Sequence, residues 1–469
     1  MIGEDVLYLT VAELGTRIRS RKLSPVELTE SYLDRIERYA PKLNAFATVT
    51  PVLAREQARE AEREIGKGHY RGPLHGIPYG AKDLLATAGI KTGWGASATK
   101  DQMFDKDATV VRKLREAGAV LLGKLAMVEF AGCLGYRFAD ASISGPGRNP
   151  WDPERWTGGS SSGAGAAVAS ALVGFAIGTE TWGSILCPSA FCGVTGFRPT
   201  YGRVSRAGGM VGAYTFDKIG PMARSAEDCR FVLQAIAGPD PDDASASDEP
   251  VRLDRARLDL ARLKGALIPL DFVKTKGAEP EVKAAFDRAV GELRAAGLKL
   301  EETSLPEFPA SEMASLIINA EALSTFENFY KSGGVWELKD SYAPYQQEIT
   351  RALTGADLVK AWRMRAVLQE KMRDFYGRYD VIVTPNFMSV APSIHEDLNK
   401  ALPYSDPVGA VGNSCGFPSI ALPCGFGKGG MPIGFQIMGS PFEEATLLGI
   451  GELYQTRTRY HRERPPIRI

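Results

Sequence analysis

A serine hydroxyl becomes a nucleophile only when one group takes its proton and another holds the charge its attack creates. One stretch of this chain has residue types suited to both tasks. It runs from Gly158 to Arg198, GGSSSGAGAAVASALVGFAIGTETWGSILCPSAFCGVTGFR, rich in glycine and serine and almost uncharged. Ser160 and Ser184 each sit in a glycine-bearing turn, 24 positions apart. Glycine permits a tight bend and a close backbone approach, so main-chain N–H groups can point at a developing oxyanion. The small-residue run from Gly163 to Leu172 predicts a tightly packed helix, whose first turn adds free N–H groups and a positive dipole end. The apolar run from Gly174 to Ile177 predicts a buried strand. One turn therefore precedes a helix, the other follows a strand, and both can reach the same sheet edge. Two blander readings stay open here: a glycine-rich packing loop, and a phosphate-binding loop. The second lacks the lysine that closes such a motif.

The wider pattern narrows the choice. Gly158–Gly163 (GGSSSG), Gly178–Ser184 (GTETWGS) and Pro188–Arg206 resemble, in order and spacing, the signature of the amidase signature family of serine hydrolases. A further family segment, HGIPxxxKD, is matched by His75 to Asp83 with Lys82 at its lysine. The likeness runs from about residue 6 to residue 465. It implies an α/β fold: one large α/β/α layered domain whose central mixed sheet is covered by helices on both faces. It implies no cofactor and no metal. It also implies a catalytic triad in which Ser184 is the nucleophile, Ser160 a bridge held by a cis Gly159–Ser160 peptide, and Lys82 the base. The backbone N–H groups of Thr181, Trp182, Gly183 and Ser184 would form the oxyanion hole. A lysine is a base only when neutral, so its pKa must fall from about 10.4 toward roughly 7–8, as burial without a carboxylate partner does. Asp83 should not be that partner, because neighbours on a strand point to opposite faces. The resemblance assigns His75 to a structural turn.

Three positions depart from the family pattern. Glu180 stands for an aspartate, Trp182 for a glycine and Leu186 for an arginine. The paired change of acid and arginine points to a replaced ion pair. Trp182 either walls the pocket beside the nucleophile or packs in the core.

The implied reaction is hydrolysis of carboxamide or anilide C–N bonds, with esters and carbamates open to the same chemistry. The expected partners are a small amide and water, and the expected state is a monomer or homodimer. The alternative is the glutamine-hydrolysing component of a tRNA-dependent amidotransferase, where an acid holds the amino group of glutamine. Asp406, seven positions before Asn413, stands near that place, and Arg351 near the carboxylate position. The missing signature arginine, the aromatic late segment and the sequence TPNFMSVAPSIHEDL favour the free-standing hydrolase.

Composition agrees with such an enzyme. Lys+Arg and Asp+Glu are equal at 56 each, which argues against a nucleic-acid surface. No apolar run suggests a signal peptide or a membrane span, so a cytoplasmic protein is expected. Six cysteines without CxxC spacing read as buried thiols, and four histidines without metal-ligand spacing argue against zinc.

The elements that must position these residues follow the chain. Capping boxes at Thr10–Glu13 and Ser24–Glu27, the second with Pro25 at the first helical position, predict two helices, and Pro51–Ile65 a third. A strand over Ile77–Ala81 places Lys82 at its C-terminal end, the edge that open α/β sheets use for active sites. A helix over Asp107–Ala117 and a strand over Ala119–Leu122 come next. Residues 238–250 (GPDPDDASASDEP) read as a polar surface loop. Strands are predicted over Ala266–Leu270, Leu298–Glu301, Asp380–Thr384, Ser419–Pro423 and Ile433–Met438. Helices are predicted over Glu279–Ala296, 312–331, 355–377 and Glu443–Thr456. The chain thus divides into N-terminal helices (1–66), a signature core (67–230) and the rest of the sheet (251–469). Within the last part, 305–400 is a helical, pocket-forming insertion rich in aromatics, most of them expected to pack in the core.

Overall fold

Eleven strands form one sheet that runs through the molecule. The structure is a computed structural model and describes residues 2–254, 258–402 and 406–467. In chain order the strands are β1 Phe46–Val49, β2 Pro78–Lys82, β3 Val120–Leu125, the separate hairpin β4 Arg148–Asn149 and β5 Asp152–Trp156, β6 Phe175–Glu180, β7 Thr195–Arg198, β8 Lys218–Ala223, β9 Lys264–Leu267, β10 Lys299–Glu302, β11 Val381–Pro385, β12 Ser419–Phe426 and β13 Pro432–Gly439. Across the main sheet they lie in the order β1-β3-β2-β6-β8-β7-β12-β13-β11-β9-β10. β3, β2 and β6 are mutually parallel, as are β11, β9 and β10, and antiparallel pairs join the two groups. The mixed α/β layering is thus as expected.

Helices cover both faces because the central strands are apolar on both. On β13, Gly434 lies beneath Ala190 of the helix Leu186–Cys192. Its neighbour Phe435 packs against Phe286 and Tyr454, on the helices Pro280–Ala295 and Glu444–Arg457. Successive residues serve opposite faces, as the pleat requires.

Several elements differ from the sequence-based expectation. The N-terminal region is not helices alone: a short helix, Glu4–Leu7, precedes the others, and β1 leaves the helix Pro25–Leu43 to edge the sheet before the helix Pro51–Gly66. The capping box at Thr10 is complete. That at Ser24 is half made: its hydroxyl accepts from Glu27 N–H at 3.1 Å but donates to Glu62 on the neighbouring helix. The predicted helix 312–331 breaks at Phe326 into Ala310–Thr325 and Glu327–Lys331. Residues 238–250 carry no helix or strand and are tied down by two acids, the buried Asp240 and the half-buried Asp243. Asp240 accepts from the hydroxyls of Thr109 and Ser205, each at 2.5 Å, and Asp243 accepts from Arg206 N–H at 2.6 Å. All six cysteines are buried and unpaired. Among the described residues, no helix is long and apolar enough to cross a membrane.

Candidate active site

The parallel trio β3-β2-β6 brings two strand ends together. β2 ends at Lys82, and β6 runs alongside in a register that sets Ala81 opposite Ile177. Both strands are wholly buried. Lys82 is 0% exposed. Nζ stands 2.7 Å from Ser160 Oγ, 3.0 Å from Ser161 Oγ, 2.9 Å from Thr179 Oγ1 and 3.4 Å from Thr179 O. The cage is thus made of hydroxyls and one carbonyl. Burial pulls the amine down to about 7; Cys133, Asp217 and Glu180 act from further away in the opposite sense. Neutral, the amine can accept the Ser160 proton and donate to Ser161 and Thr179, while Ser161 donates to Thr179 O at 3.1 Å.

Ser160 reaches the lysine from a loop that crosses the end of the sheet. The Gly159–Ser160 peptide is cis, as expected. The small-residue helix is Ser162–Ala169, every residue buried. Its glycines are space requirements: a Cβ on Gly163 would lie 2.3 Å from Ala45 O and 2.6 Å from Ala126 N. One on Gly159 would meet Tyr136 Oη at 2.7 Å. Backbone thus packs against backbone around this loop.

Ser184 follows β6 by one turn. Gly183 has φ +87°, a conformation that favours glycine. The N–H groups of Trp182, Gly183 and Ser184 donate to no acceptor among the described residues. Ser161 N–H donates to Ser184 O at 3.3 Å and joins the two serine loops. Glu180 anchors the turn from below. Its Oε2 accepts the N–H groups of Ile185 and Leu186 at 2.9 and 3.0 Å, and its Oε1 pairs with Arg198 at 2.7 Å. Burial works against its charge, yet Arg198 and those bonds hold the carboxyl below its ordinary range. The acid at position 180 thus has an arginine partner, supplied by β7 instead of position 186.

A cavity of about 480 Å³ opens over Ser184. Thr181, Trp182, Gly183 and Ser184 form its floor, and Tyr136, Trp156, Cys133 and Cys187 form one wall. Ser315, Ile318 and Asn319 of the helix Ala310–Thr325 stand in another, with Phe387, Asn399 and Leu402. Trp182 is half-buried, lines the cavity and also rests on the smaller of two apolar cores, so both of its readings hold. Its Nε1–H donates to Asp406 Oδ2 at 3.3 Å. Asp406 lines the cavity and caps the helix Pro407–Ser414 through Gly409 N–H; burial raises its carboxyl.

The family model for amidases matches residues 27–448. This chain belongs to the amidase family. It is 37% identical to the A subunit of the glutamyl-tRNA(Gln) amidotransferase from Moorella thermoacetica, over 99% of this chain and the whole of the relative. The crystal structure of a peptide amidase from Stenotrophomonas maltophilia superposes with a TM-score of 0.84 at 31% identity, covering 97% of this chain and 98% of that one. The glutamyl-tRNA(Gln) amidotransferase A subunit of Thermotoga maritima matches end to end, with a TM-score of 0.82 at 28% identity.

Within this amidase-family framework the outlying candidates separate. Asp83 points away from Lys82, as the strand alternation requires: it faces Lys124 at 3.6 Å and accepts Gly93 N–H at 2.9 Å. His75 is buried in a turn, facing Glu64 at 3.2 Å and accepting Arg71 N–H at 3.1 Å. Arg351 corrects its expectation. It lies exposed at the end of the helix Ala343–Arg351 beside Tyr330 and Glu348, outside the cavity, because that helix buries Gln347 and Thr350 and ends with Arg351 in solvent. The helix Gly355–Tyr376 contributes nothing to the cavity wall, so only part of the 305–400 insertion forms the pocket. Sequence reasoning missed Ser161 and Thr179. The only sign of them was a third serine beside Ser160 and a hydroxyl between Gly178 and Glu180.

Proposed function

We propose that this chain is a stand-alone hydrolase of small, uncharged carboxamides and anilides, working through an acyl-enzyme on Ser184. Esters and carbamates present the same electrophile and are within its reach. Ser184 Oγ attacks the carbonyl carbon while its proton passes to Ser160 and the Ser160 proton to Lys82. The oxyanion is received by the N–H groups of Thr181, Trp182, Gly183 and Ser184. As the C–N bond breaks, the amine takes a proton back along the same path. Water then attacks the acyl carbonyl with the same relay, releases the acid and restores Ser184. The observation that carries this reading is the buried lysine caged by hydroxyls, with no carboxylate among its described contacts.

The charge of the cavity supports the substrate class. Asp406 is its acid, and no lysine or arginine stands among its described lining residues. Glutamine would find a partner for its ammonium but none for its carboxylate, and a desolvated carboxylate without a partner binds poorly. The second reading, a glutamine-hydrolysing component of an amidotransferase, draws on the likeness to the amidotransferase relatives and on Asp406 in the wall. The test is hydrolysis of an acyl-anilide by the purified protein, beside ammonia release from glutamine. The hydrolase reading expects anilide cleavage alone. Glutamine hydrolysis with inert anilides would transfer the case to the second reading.

A further inference from the structure

Three guanidinium groups surround one tyrosine near the N-terminus. Arg224 lies 4.5 Å from the centre of the Tyr8 ring, Arg464 4.7 Å and Arg35 5.2 Å. Arg35 also donates to the Tyr8 hydroxyl at 2.8 Å. Like charges gathered this closely repel unless anions lie among them. Carboxylates answer Arg35, Arg464 and Arg462 but leave Arg224 and Arg459 without one among the described residues. Glu4 pairs with Arg35 at 2.8 Å, Glu13 with Arg462 at 2.7 Å and Asp5 with Arg464. Asp228 accepts from Ala12 N–H, and burial raises its carboxyl to about 7. Arg224 is 5% exposed and pairs with no carboxylate among the described residues. It donates to Val168 O at 2.7 Å, and its Nε has no partner. Arg459 also pairs with no described acid, whereas Arg457 and Arg462 on either side do.

A cavity of about 800 Å³ opens at this cluster and shares no lining residue with the Ser184 cavity. Tyr8, Glu13, Arg459, His461, Arg462 and Arg464 line it. His461 is 8% exposed and its Nδ1 is unpartnered, a buried polar atom in want of a ligand. Gln455, Thr456 and Thr458 add neutral polar groups to the wall. Cationic side chains in excess, a concave shape and an orphaned imidazole nitrogen occur together.

We infer that this cavity binds a small, multiply charged oxyanion, a phosphate or a polycarboxylate, held by Arg459, Arg462 and Arg464 with a hydrogen bond to His461. This site is independent of the hydrolase reading. Burial, together with Arg462, Arg459 and Arg224, holds His461 down near 4, and Glu13 acts the other way. A bound anion reverses part of that field, so binding in mildly acidic buffer takes up a proton at His461.

The test is calorimetric titration of the full chain with inorganic phosphate and, separately, with citrate at mildly acidic pH. The expected result is a Kd of about 1 mM or tighter for at least one probe. The probe that binds more tightly distinguishes phosphate from polycarboxylate. Arg459→Gln with Arg462→Gln weakens it by about tenfold or more, since each removes a direct charge partner. Arg457→Gln, whose arginine pairs with Glu292 at 3.0 Å, leaves it unchanged. The proton uptake, read from titrations in two buffers of different ionisation heat, disappears in His461→Gln. The inference fails if neither probe binds, or if the folded double variant binds as the wild type does.

Discussion

Two lysines lie buried on neighbouring strands of one sheet, and they have opposite surroundings. Lys82 ends β2 and Lys124 sits in β3, each 0% exposed. Lys82 faces Ser160, Ser161 and Thr179. Lys124 faces Asp83 at 3.6 Å and donates to Leu85 O and Thr92 Oγ1, each at 2.6 Å. Burial lowers both, Lys82 to about 7 and Lys124 to about 8, where Asp83 acts against the fall. Asp83 is itself raised to about 6 by burial, with Lys124 opposing. Burial alone therefore does not separate a base from a structural lysine. The partner does: hydroxyls exchange protons with an amine and stay neutral, whereas a carboxylate favours its charged form and binds it into a clamp.

Substitutions test that contrast, with the proposed nucleophile setting the floor. Ser184→Ala should lower kcat by about a millionfold, measured on an acyl-anilide, because the proposed acyl-enzyme forms on its hydroxyl. Lys82→Met should cost at least about a thousandfold in kcat, since the relay then has no terminus. The same change should cost stability no more than about 1–2 kcal/mol in urea unfolding, because the freed hydroxyls can bond one another and Thr179 O. Turnover near wild type in Lys82→Met would break the comparison outright. The next effect is in pH. Below a pH of about 7 Lys82 is increasingly protonated, so kcat/KM should fall about tenfold per unit and level off above it. A profile flat from mildly acidic to alkaline pH would contradict a lysine base. The smallest effect on rate is expected of Lys124→Met. Turnover of the folded protein should stay within about tenfold, and stability should drop by about 3 kcal/mol, because Asp83 loses its counter-ion. Adding Asp83→Asn should return part of that loss. A Lys124→Met protein as stable as the wild type would remove the clamp from the contrast.

Much of this arrangement was legible in the residues. The spacing of Ser160 and Ser184, the glycines around them and the strand ending at Lys82 placed all three side chains at one sheet edge, where the structure has them. Asp406, singled out by its likeness to the acid of the amidotransferase pattern, stands in the cavity wall. What escaped notice depended on contacts distant in sequence. Arg198 meets Glu180 only because β7 and β6 lie on either side of β8. β8 itself, KIGPMA, carries a glycine and a proline in place of alternation, and β1 is four residues at an edge. Arg351 was misplaced because a short local match cannot tell which way a surface helix turns.

The glycine-lined loop also bears on how such a molecule can change. Around Ser160 the cavity rests on main chain pressed against main chain, where one added methyl group finds no room. Across from it, Ser315, Ile318, Asn319 and Phe387 reach in as side chains from a helix and a loop outside the sheet. Mutation can redraw that second surface one residue at a time while the first stays as it is. New substrate preferences should therefore be inherited through the far wall, and the machinery that cuts the bond should pass unaltered beneath them.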